Sequence, residues 1–145
     1  MKILVPVDGS KYSEEALKIA ADYAKTKGAK VCLISVAPVV EGIDLEITAA
    51  ERDKLTGTFT KQAEYIAQKA CGILTAEDVI ATCRHVVSSL SVADAIIDYA
   101  EKEKIDLIII GSRGLGKSSR FKIGSVASKV VKHAPCSVYV VKVQE

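Results

Sequence analysis

Glycines and cationic residues are concentrated between residues 105 and 134, and this combination of residue types suits the binding of an anion. Residues 107–110 are an apolar, β-branched run too short for a helix, which predicts a buried strand. A helical pattern of apolar residues begins directly after Ser125. Glycines let backbone N–H groups approach an anion closely, and the N-terminus of a helix adds partial positive charge. The loop and the helix start hold Gly111, Gly114, Gly116 and Gly124.

Charge is distributed unevenly along the chain. Residues 107–145 hold seven basic residues and one acidic residue, a net charge of +6, and because the whole chain carries +2, residues 1–106 carry −4. Such asymmetry favours an anionic ligand near the glycines. Solvated surface positions are expected for Lys129, Lys132 and Lys142. Phosphate contacts are predicted for Arg113, Lys117, Arg120 and Lys122.

The stretch 111–118 matches the P-loop pattern G-x-x-x-x-G-K-[ST], but its surroundings do not fit a P-loop protein. Such NTPases usually hold magnesium with an aspartate on a later strand, and no aspartate follows Asp106. A helix starting at Lys117 would also place Gly124 in its interior, at a cost of about 1 kcal/mol relative to alanine. The P-loop match is therefore interpreted as accidental.

A second pattern, Gly111-x2-Gly114-x9-Gly124-Ser125, resembles the nucleotide-binding signature of the universal stress protein family, in its ATP-binding branch. The likeness extends over the chain, through KILVPVDGS at the start, DLIIIGSRG before the loop, and GSVASKV and APCSVYVVK after it. Each piece is weak alone, but their order in a chain of 145 residues is specific. The sequence is identified as one universal stress protein domain, residues 1–145.

Five predicted strands alternate with four predicted helices, which indicates an α/β fold with a parallel sheet and helices on both faces. The strands are predicted at residues 2–7, 30–37, within 78–87, 107–110 and 137–143. Helix starts are predicted after Ser10, at the capping boxes 48–51 and 91–94, and at Gly124. The resemblance implies a single-domain, open five-stranded sheet of the Rossmann-like, adenine nucleotide alpha hydrolase-like type, with strand order 3-2-1-4-5. Ligands would then bind between the ends of strands 1 and 4.

The resemblance also implies which residues contact a nucleotide. Asp8 would lie at the nucleoside, although Asp-Gly is also a common turn dipeptide. The adenine pocket would be lined by Pro6, Val7 and Val36. The phosphates would be wrapped by Gly111, Arg113, Gly114, Gly124, Ser125 and Val126. Ala127 stands where many relatives have Ser or Thr, and the predicted loop 87–89 lacks a glycine often found there.

No residue can be assigned to catalysis from the sequence. His85 and His133 are distant in sequence, and Cys83 with His85 would supply only two of the four ligands of a zinc site. Because no general base is identifiable, ATP hydrolysis is expected to be slow if it occurs, and a binding protein is favoured over an enzyme.

Composition places the chain among soluble globular proteins, with 49% apolar and 26% charged residues. Neither a signal peptide nor an apolar run of about 20 residues is visible, so a cytoplasmic protein without a membrane segment is expected. Four cysteines without a C-x-x-C pair are expected to be reduced thiols: Cys32, Cys71, Cys83 and Cys136. Few aromatics, no tryptophan and no extended basic stripe disfavour nucleic-acid binding.

Two further segments carry expectations. Residues 38–47 show no periodicity and are predicted to form a mobile loop. The last strand is rich in valine and would leave an open sheet edge. The resemblance implies that this strand pairs antiparallel with its copy in a homodimer.

The predicted function is binding of ATP with Mg²⁺ or Mn²⁺, so that nucleotide occupancy orders the 112–123 loop and is read by a protein partner of unknown identity. In a variant of this prediction, the protein binds AMP or cyclic AMP. The alternatives are a slow ATPase or self-phosphorylating enzyme, and an interaction module that does not use nucleotide.

Overall fold

The computed structural model describes residues 1–39, 47–115 and 123–144. Within them, strands and helices alternate along the chain as the sequence predicts. The strands are β1 (Lys2–Pro6), β2 (Lys30–Pro38), β3 (Cys83–Ser89), β4 (Leu107–Gly111) and β5 (Ser137–Val141). The helices are α1 (Lys11–Lys27), α2 (Ala49–Ala76), α3 (Val92–Lys102) and α4 (Ser125–His133).

The five strands form one parallel sheet in the order β3-β2-β1-β4-β5, which confirms the predicted topology. β1 is central, with Ile3 paired to Val31 of β2 on one side and to Leu107 of β4 on the other. The chain runs outward from β1 to β3, then returns past β1 to β4 and β5. The order therefore reverses between β1 and β4, where an open α/β sheet usually binds its ligand.

Helices cover both faces of the sheet, so successive β1 residues belong to different cores. Ile3 and Val5 pack with α1 and α2, whereas Leu4 packs with α3 and α4. All three side chains are fully buried. A strand buried on both faces reads as a continuous apolar run, which explains the sequence KILVPV.

Side chains cap the first three helices at the predicted positions. The hydroxyl oxygens of Ser10, Thr48 and Ser91 accept the N–H groups of the residues three further on. These bonds satisfy N–H groups that have no partner inside the helix. α1 ends at Gly28, whose φ of 65° is the left-handed conformation that glycine adopts without strain.

Three sequence predictions need correction. β3 begins at Cys83 and continues to Ser89, because α2 extends to Ala76 and Val79 packs into the core before the strand starts. The predicted loop 87–89 is thus the end of β3. The helical spacing of apolar residues in the sequence also predicts that Leu55 in α2 and Val131 in α4 face the core, but they are 40% and 49% exposed.

The cysteine prediction also fails at one pair. The structure joins Cys32 and Cys83 in a disulfide, while Cys71 and Cys136 are free thiols. The two bonded residues are 51 positions apart in sequence, but the register of β2 against β3 places them directly opposite each other. Sequence spacing alone gives no sign of that register.

Most of the predicted loop 38–47 lies outside the described residues. Within the described ranges, no helix combines the length and the apolar character needed to cross a lipid bilayer.

Candidate functional site

A cavity of about 500 Å³ lies at the carboxyl ends of β1 and β4, where the strand order reverses. Its volume is within the range of about 300–1,000 Å³ that is usual for small-molecule sites. The structure brings together in its lining all ten residues that the family resemblance implies for the nucleotide site. They are Pro6, Val7, Asp8, Val36, Gly111, Arg113, Gly114, Gly124, Ser125 and Val126.

Backbone hydrogen bonds bring the two ends of the glycine-rich loop together. Ser112 is buried, and its N–H donates to the carbonyl of Val141 in β5 at 2.7 Å. Its own carbonyl accepts the N–H of Gly124, also at 2.7 Å. The residues that follow β4 and the residues that open α4 are therefore fixed side by side at the cavity.

The N-terminus of α4 differs from those of the other three helices. Its cap residue is Gly124, which makes no side-chain capping bond. Ser125 and Val126, the first two residues of α4, line the cavity. A helix N-terminus leaves N–H groups without intrahelical partners and carries partial positive charge, so this end of α4 can receive an anion.

Asp8 follows β1 and lies across from this loop. Its Oδ1 accepts the N–H of Ser10 at 2.9 Å, which is the turn that the sequence left as an alternative. Its Oδ2 faces Gly114 so closely that a Cβ at position 114 would lie 2.6 Å away. The carboxylate therefore orders a turn and also borders the cavity.

Gly111 serves packing as well as the cavity. A Cβ there would lie 2.6 Å from Cβ and 2.9 Å from the carbonyl carbon of Tyr12 in α1. Because the second atom belongs to the backbone, no side-chain rotation could relieve the contact. This glycine allows α1 to approach β4 closely.

The wall on the β2 side is apolar. Besides Val36, it contains Ile34 from β2 and Val92 and Ile96 from α3. Eight further residues line the cavity: Ser13, Ile34, Val92, Ile96, Ile110, Ser112, Leu115 and Ala127. The sequence analysis missed Ser13, Val92 and Ile96 because their places depend on how α1 and α3 pack on the sheet. Ile34 could have been predicted from the sequence, because it lies two residues before Val36 and therefore on the same face of the strand.

Two charged residues line the cavity among the described part of the chain, Asp8 and Arg113. The other three cations predicted to contact phosphate, Lys117, Arg120 and Lys122, lie outside the described residues. Lys129 is half-exposed, as expected, and its Nζ lies 2.9 Å from a carboxylate oxygen of Asp94. The hydrogen bond from Lys129 lowers the pKa of Asp94.

Histidines do not join the site. His85 stacks on Tyr99 of α3, with ring centroids 4.8 Å apart. In the ranges that the structure describes, no cluster of three His, Cys, Asp or Glu side chains could hold a metal ion.

The fold and the cavity together define an α/β domain with a crevice at the switch point of its parallel sheet, apolar on the β2 side and rich in glycine on the β4 side. Comparisons with known proteins agree. The model of the universal stress protein family matches residues 1–142. A universal stress protein of Methanocaldococcus jannaschii is 34% identical over 141 residues, which cover 97% of this chain and 81% of that protein.

Solved structures extend the likeness to three dimensions. The universal stress protein UspA of Lactobacillus plantarum has a TM-score of 0.83 at 26% identity, covering 98% of this chain and 97% of that one. A universal stress protein of Archaeoglobus fulgidus in complex with dAMP has a TM-score of 0.71 at 25% identity, covering 98% of both chains. The chain belongs to the universal stress protein family.

Proposed function

We propose that this protein binds ATP in the crevice between β1 and β4 and acts through nucleotide occupancy, as a nucleotide-dependent regulatory protein of the stress response. The observation that carries the proposal is the cavity itself. It combines an apolar wall for a base with a glycine-rich end at the N-terminus of α4 for phosphates.

The adenine base would lie against Val36 and the neighbouring apolar side chains of β2 and α3. Asp8 would contact the ribose, because it lines the cavity and its Oδ2 faces Gly114 of the loop after β4. Backbone N–H groups at the start of α4 and the side chain of Arg113 would donate hydrogen bonds to the phosphates. Mg²⁺ or Mn²⁺ would be held chiefly by the phosphate oxygens.

A mononucleotide is the second candidate occupant. It is favoured by the relative from Archaeoglobus fulgidus, whose structure contains dAMP. AMP or cyclic AMP would use the same apolar wall and the same helix N-terminus, with fewer phosphate contacts. Self-phosphorylation or slow ATP hydrolysis at the same site is the enzymatic alternative, and turnover above the background of an Asp8 or Gly124 variant would support it.

The remaining parts of the proposal concern assembly and location. We propose a cytoplasmic homodimer that pairs through β5, whose outer edge has no partner strand among the described residues. Occupancy of the crevice would order the 112–123 loop, and a protein partner would recognise that state.

The test begins with freshly purified, untreated protein. It is denatured, and the supernatant is chromatographed for released nucleotide, in parallel with Gly114→Val, whose side chain would meet Asp8. ATP released by the native protein and not by the variant supports the proposal. AMP or cyclic AMP in its place supports the mononucleotide.

An empty preparation calls for direct titration of the same two proteins with ATP, AMP and cyclic AMP by calorimetry. Binding by the native protein that the variant loses would support the proposal. No heat and no thermal shift with any of the three would overturn nucleotide binding and leave a nucleotide-independent interaction module.

A further inference from the structure

The disulfide between Cys32 and Cys83 lies where neighbouring strands place two thiols opposite each other. Neighbouring strands of a sheet are about 4.8 Å apart, and the two Cα atoms are separated by 4.7 Å. That separation lies within the range of about 4.4–6.8 Å that disulfides adopt. The sheet can therefore keep the same register whether the two sulfurs are bonded or reduced, which a reversible pair requires.

The two cysteine residues differ in exposure. Cys32 lies on β2 in the interior of the sheet and is 4% exposed. Cys83 lies on β3, which among the described residues pairs only with β2 at an edge of the sheet, and it is partly exposed. A small thiol or disulfide from solvent would therefore meet Cys83 first.

Tyr99 provides a polar partner at this sulfur. Its hydroxyl lies 3.0 Å from Sγ of Cys83, and its ring is held by stacking on His85. Burial, with a smaller contribution from the carboxylate of Glu103, raises the pKa of Tyr99. The hydroxyl therefore stays protonated at neutral pH and can donate to a sulfur anion at Cys83.

From this arrangement we infer that Cys32 and Cys83 form a reversible thiol–disulfide site, in which Cys83 exchanges with low-molecular-weight disulfides and Cys32 completes the reaction. The Cys83 thiolate, having lost its proton to solvent, attacks one sulfur of the small disulfide and releases one small thiol. The Cys32 thiolate then attacks the Cys83 sulfur and releases the second. Two electrons pass from the protein to the small disulfide, and two protons leave the protein thiols.

Reduction follows the reverse path. A small thiolate attacks Cys83, which leaves Cys32 as the first free thiol. A second small thiolate resolves the mixed disulfide and releases Cys83 as a thiolate next to the Tyr99 hydroxyl. Loss of that hydrogen bond is expected to slow the second step about fivefold, the effect of one ordinary hydrogen bond.

The site adjoins the apolar wall of the crevice. Cys32 is two residues before Ile34 on the same face of β2, and Tyr99 is one helical turn after Ile96 in α3. The inference does not require nucleotide binding, because its chemistry involves only the two cysteines and a small disulfide.

The experiment equilibrates the full chain with mixtures of reduced and oxidised glutathione, then denatures it in N-ethylmaleimide and counts adducts by mass spectrometry. We expect four adducts at the reducing end and two at the oxidising end, with Cys71 and Cys136 modified throughout. Four adducts in every mixture, or two adducts even in excess reduced glutathione, would overturn the inference.

Cysteine variants show which of the two thiols reacts first with glutathione. Cys32→Ser should trap glutathione on Cys83, whereas Cys83→Ser should trap little on the buried Cys32; the opposite pattern would contradict the assignment. The double substitution Cys71→Ser/Cys136→Ser is the matched control. It should leave unchanged the ratio of reduced to oxidised glutathione at which half of the Cys32–Cys83 pairs are bonded. Tyr99→Phe, which keeps the stacked ring, should slow the release of Cys83 by reduced glutathione about fivefold, and an unchanged rate would remove Tyr99 from the site.

Discussion

Asp8 and Gly114 meet across the crevice, and a Cβ on Gly114 would lie 2.6 Å from Oδ2 of Asp8. The other carboxylate oxygen is held by the N–H of Ser10, so the Asp8 side chain cannot turn away without losing that hydrogen bond. The turn after β1 and the loop after β4 are thus in contact at the place where the proposed ribose would lie. A side chain at position 114 disturbs both partners.

Gly114→Ala should therefore displace the Asp8 carboxylate and weaken nucleotide binding. A hydrogen bond from the proposed ribose to the charged carboxylate is worth about 1.5–3 kcal/mol, so its loss corresponds to roughly 10- to 150-fold in affinity. Calorimetric titration with ATP measures the loss. In a double-mutant cycle, adding Gly114→Ala to Asp8→Ala should cost little more than Asp8→Ala alone, because the clashing atom is gone. Equal losses in both backgrounds would show that the glycine acts independently of Asp8.

Gly111→Ala should act on stability. Its new Cβ would meet the backbone of Tyr12, so α1 and β4 must separate, at a cost of about 1–3 kcal/mol in the free energy of unfolding. Urea denaturation measures the change. Gly72→Ala, in α2 with nothing within 4 Å of the added Cβ, is the matched control and should stabilise the protein by up to about 1 kcal/mol. Equal urea midpoints of unfolding for Gly111→Ala and Gly72→Ala would contradict this packing argument.

The glycine pattern shows what sequence could and could not establish. Spacing predicts that Gly111 and Gly114 belong to one loop; in the structure Gly111 is the last residue of β4, Gly114 follows it, and both line the cavity. Spacing could not reveal that Gly111 accommodates α1 while Gly114 faces Asp8, because both contacts depend on the packing of distant segments. The strand order came from the family resemblance, since alternation alone is compatible with several orders.

The disulfide between the two cysteines is a feature that the sequence could not predict. Which residues of β2 and β3 face each other is set by where α2 ends and β3 begins, and helix and strand boundaries are poorly specified by local pattern. The sequence places β3 only within residues 78–87 and does not fix where it begins, so Cys32 and Cys83 cannot be matched from the sequence. Once the register is known, their pairing follows from strand geometry.

Arg113→Gln should reduce the affinity for nucleotides, and the reduction should be larger for ligands that carry more phosphates. If its guanidinium contacts the phosphates, a charge-assisted bond worth about 1.5–3 kcal/mol is lost, or roughly 10- to 150-fold for ATP. Adenosine should be unaffected. Lys132→Gln, a cation of α4 expected to be solvated, is the matched control. Equal loss for ATP and adenosine would argue that Arg113 supports the loop and does not contact phosphate.

The ion pair between Asp94 and Lys129 links α3 to α4 and should be visible in a pH titration. Because Lys129 lowers the pKa of Asp94 below its ordinary value of 3.8, the pair stabilises the folded state above that pH. The contribution is lost as the pH falls through the lower, folded value. NMR titration of the Asp94 carboxyl should show its pKa rising toward 3.8 in Lys129→Met. An unchanged pKa would mean that the pair does not form in solution.

Tyr139→Lys should dissociate the proposed homodimer. Tyr139 lies in β5 at the edge of the sheet and is 41% exposed. In a two-fold pairing of β5 strands the new lysines would come close together, and like charges near each other across a strand pair are destabilising. Sedimentation velocity should show a dimer for the native chain and a monomer for the variant at the same concentration. Tyr65→Lys, at a tyrosine of α2 that is 65% exposed, is the matched control and should remain a dimer. A native chain that sediments as a monomer, or a Tyr139→Lys variant that stays dimeric, would exclude pairing through this edge.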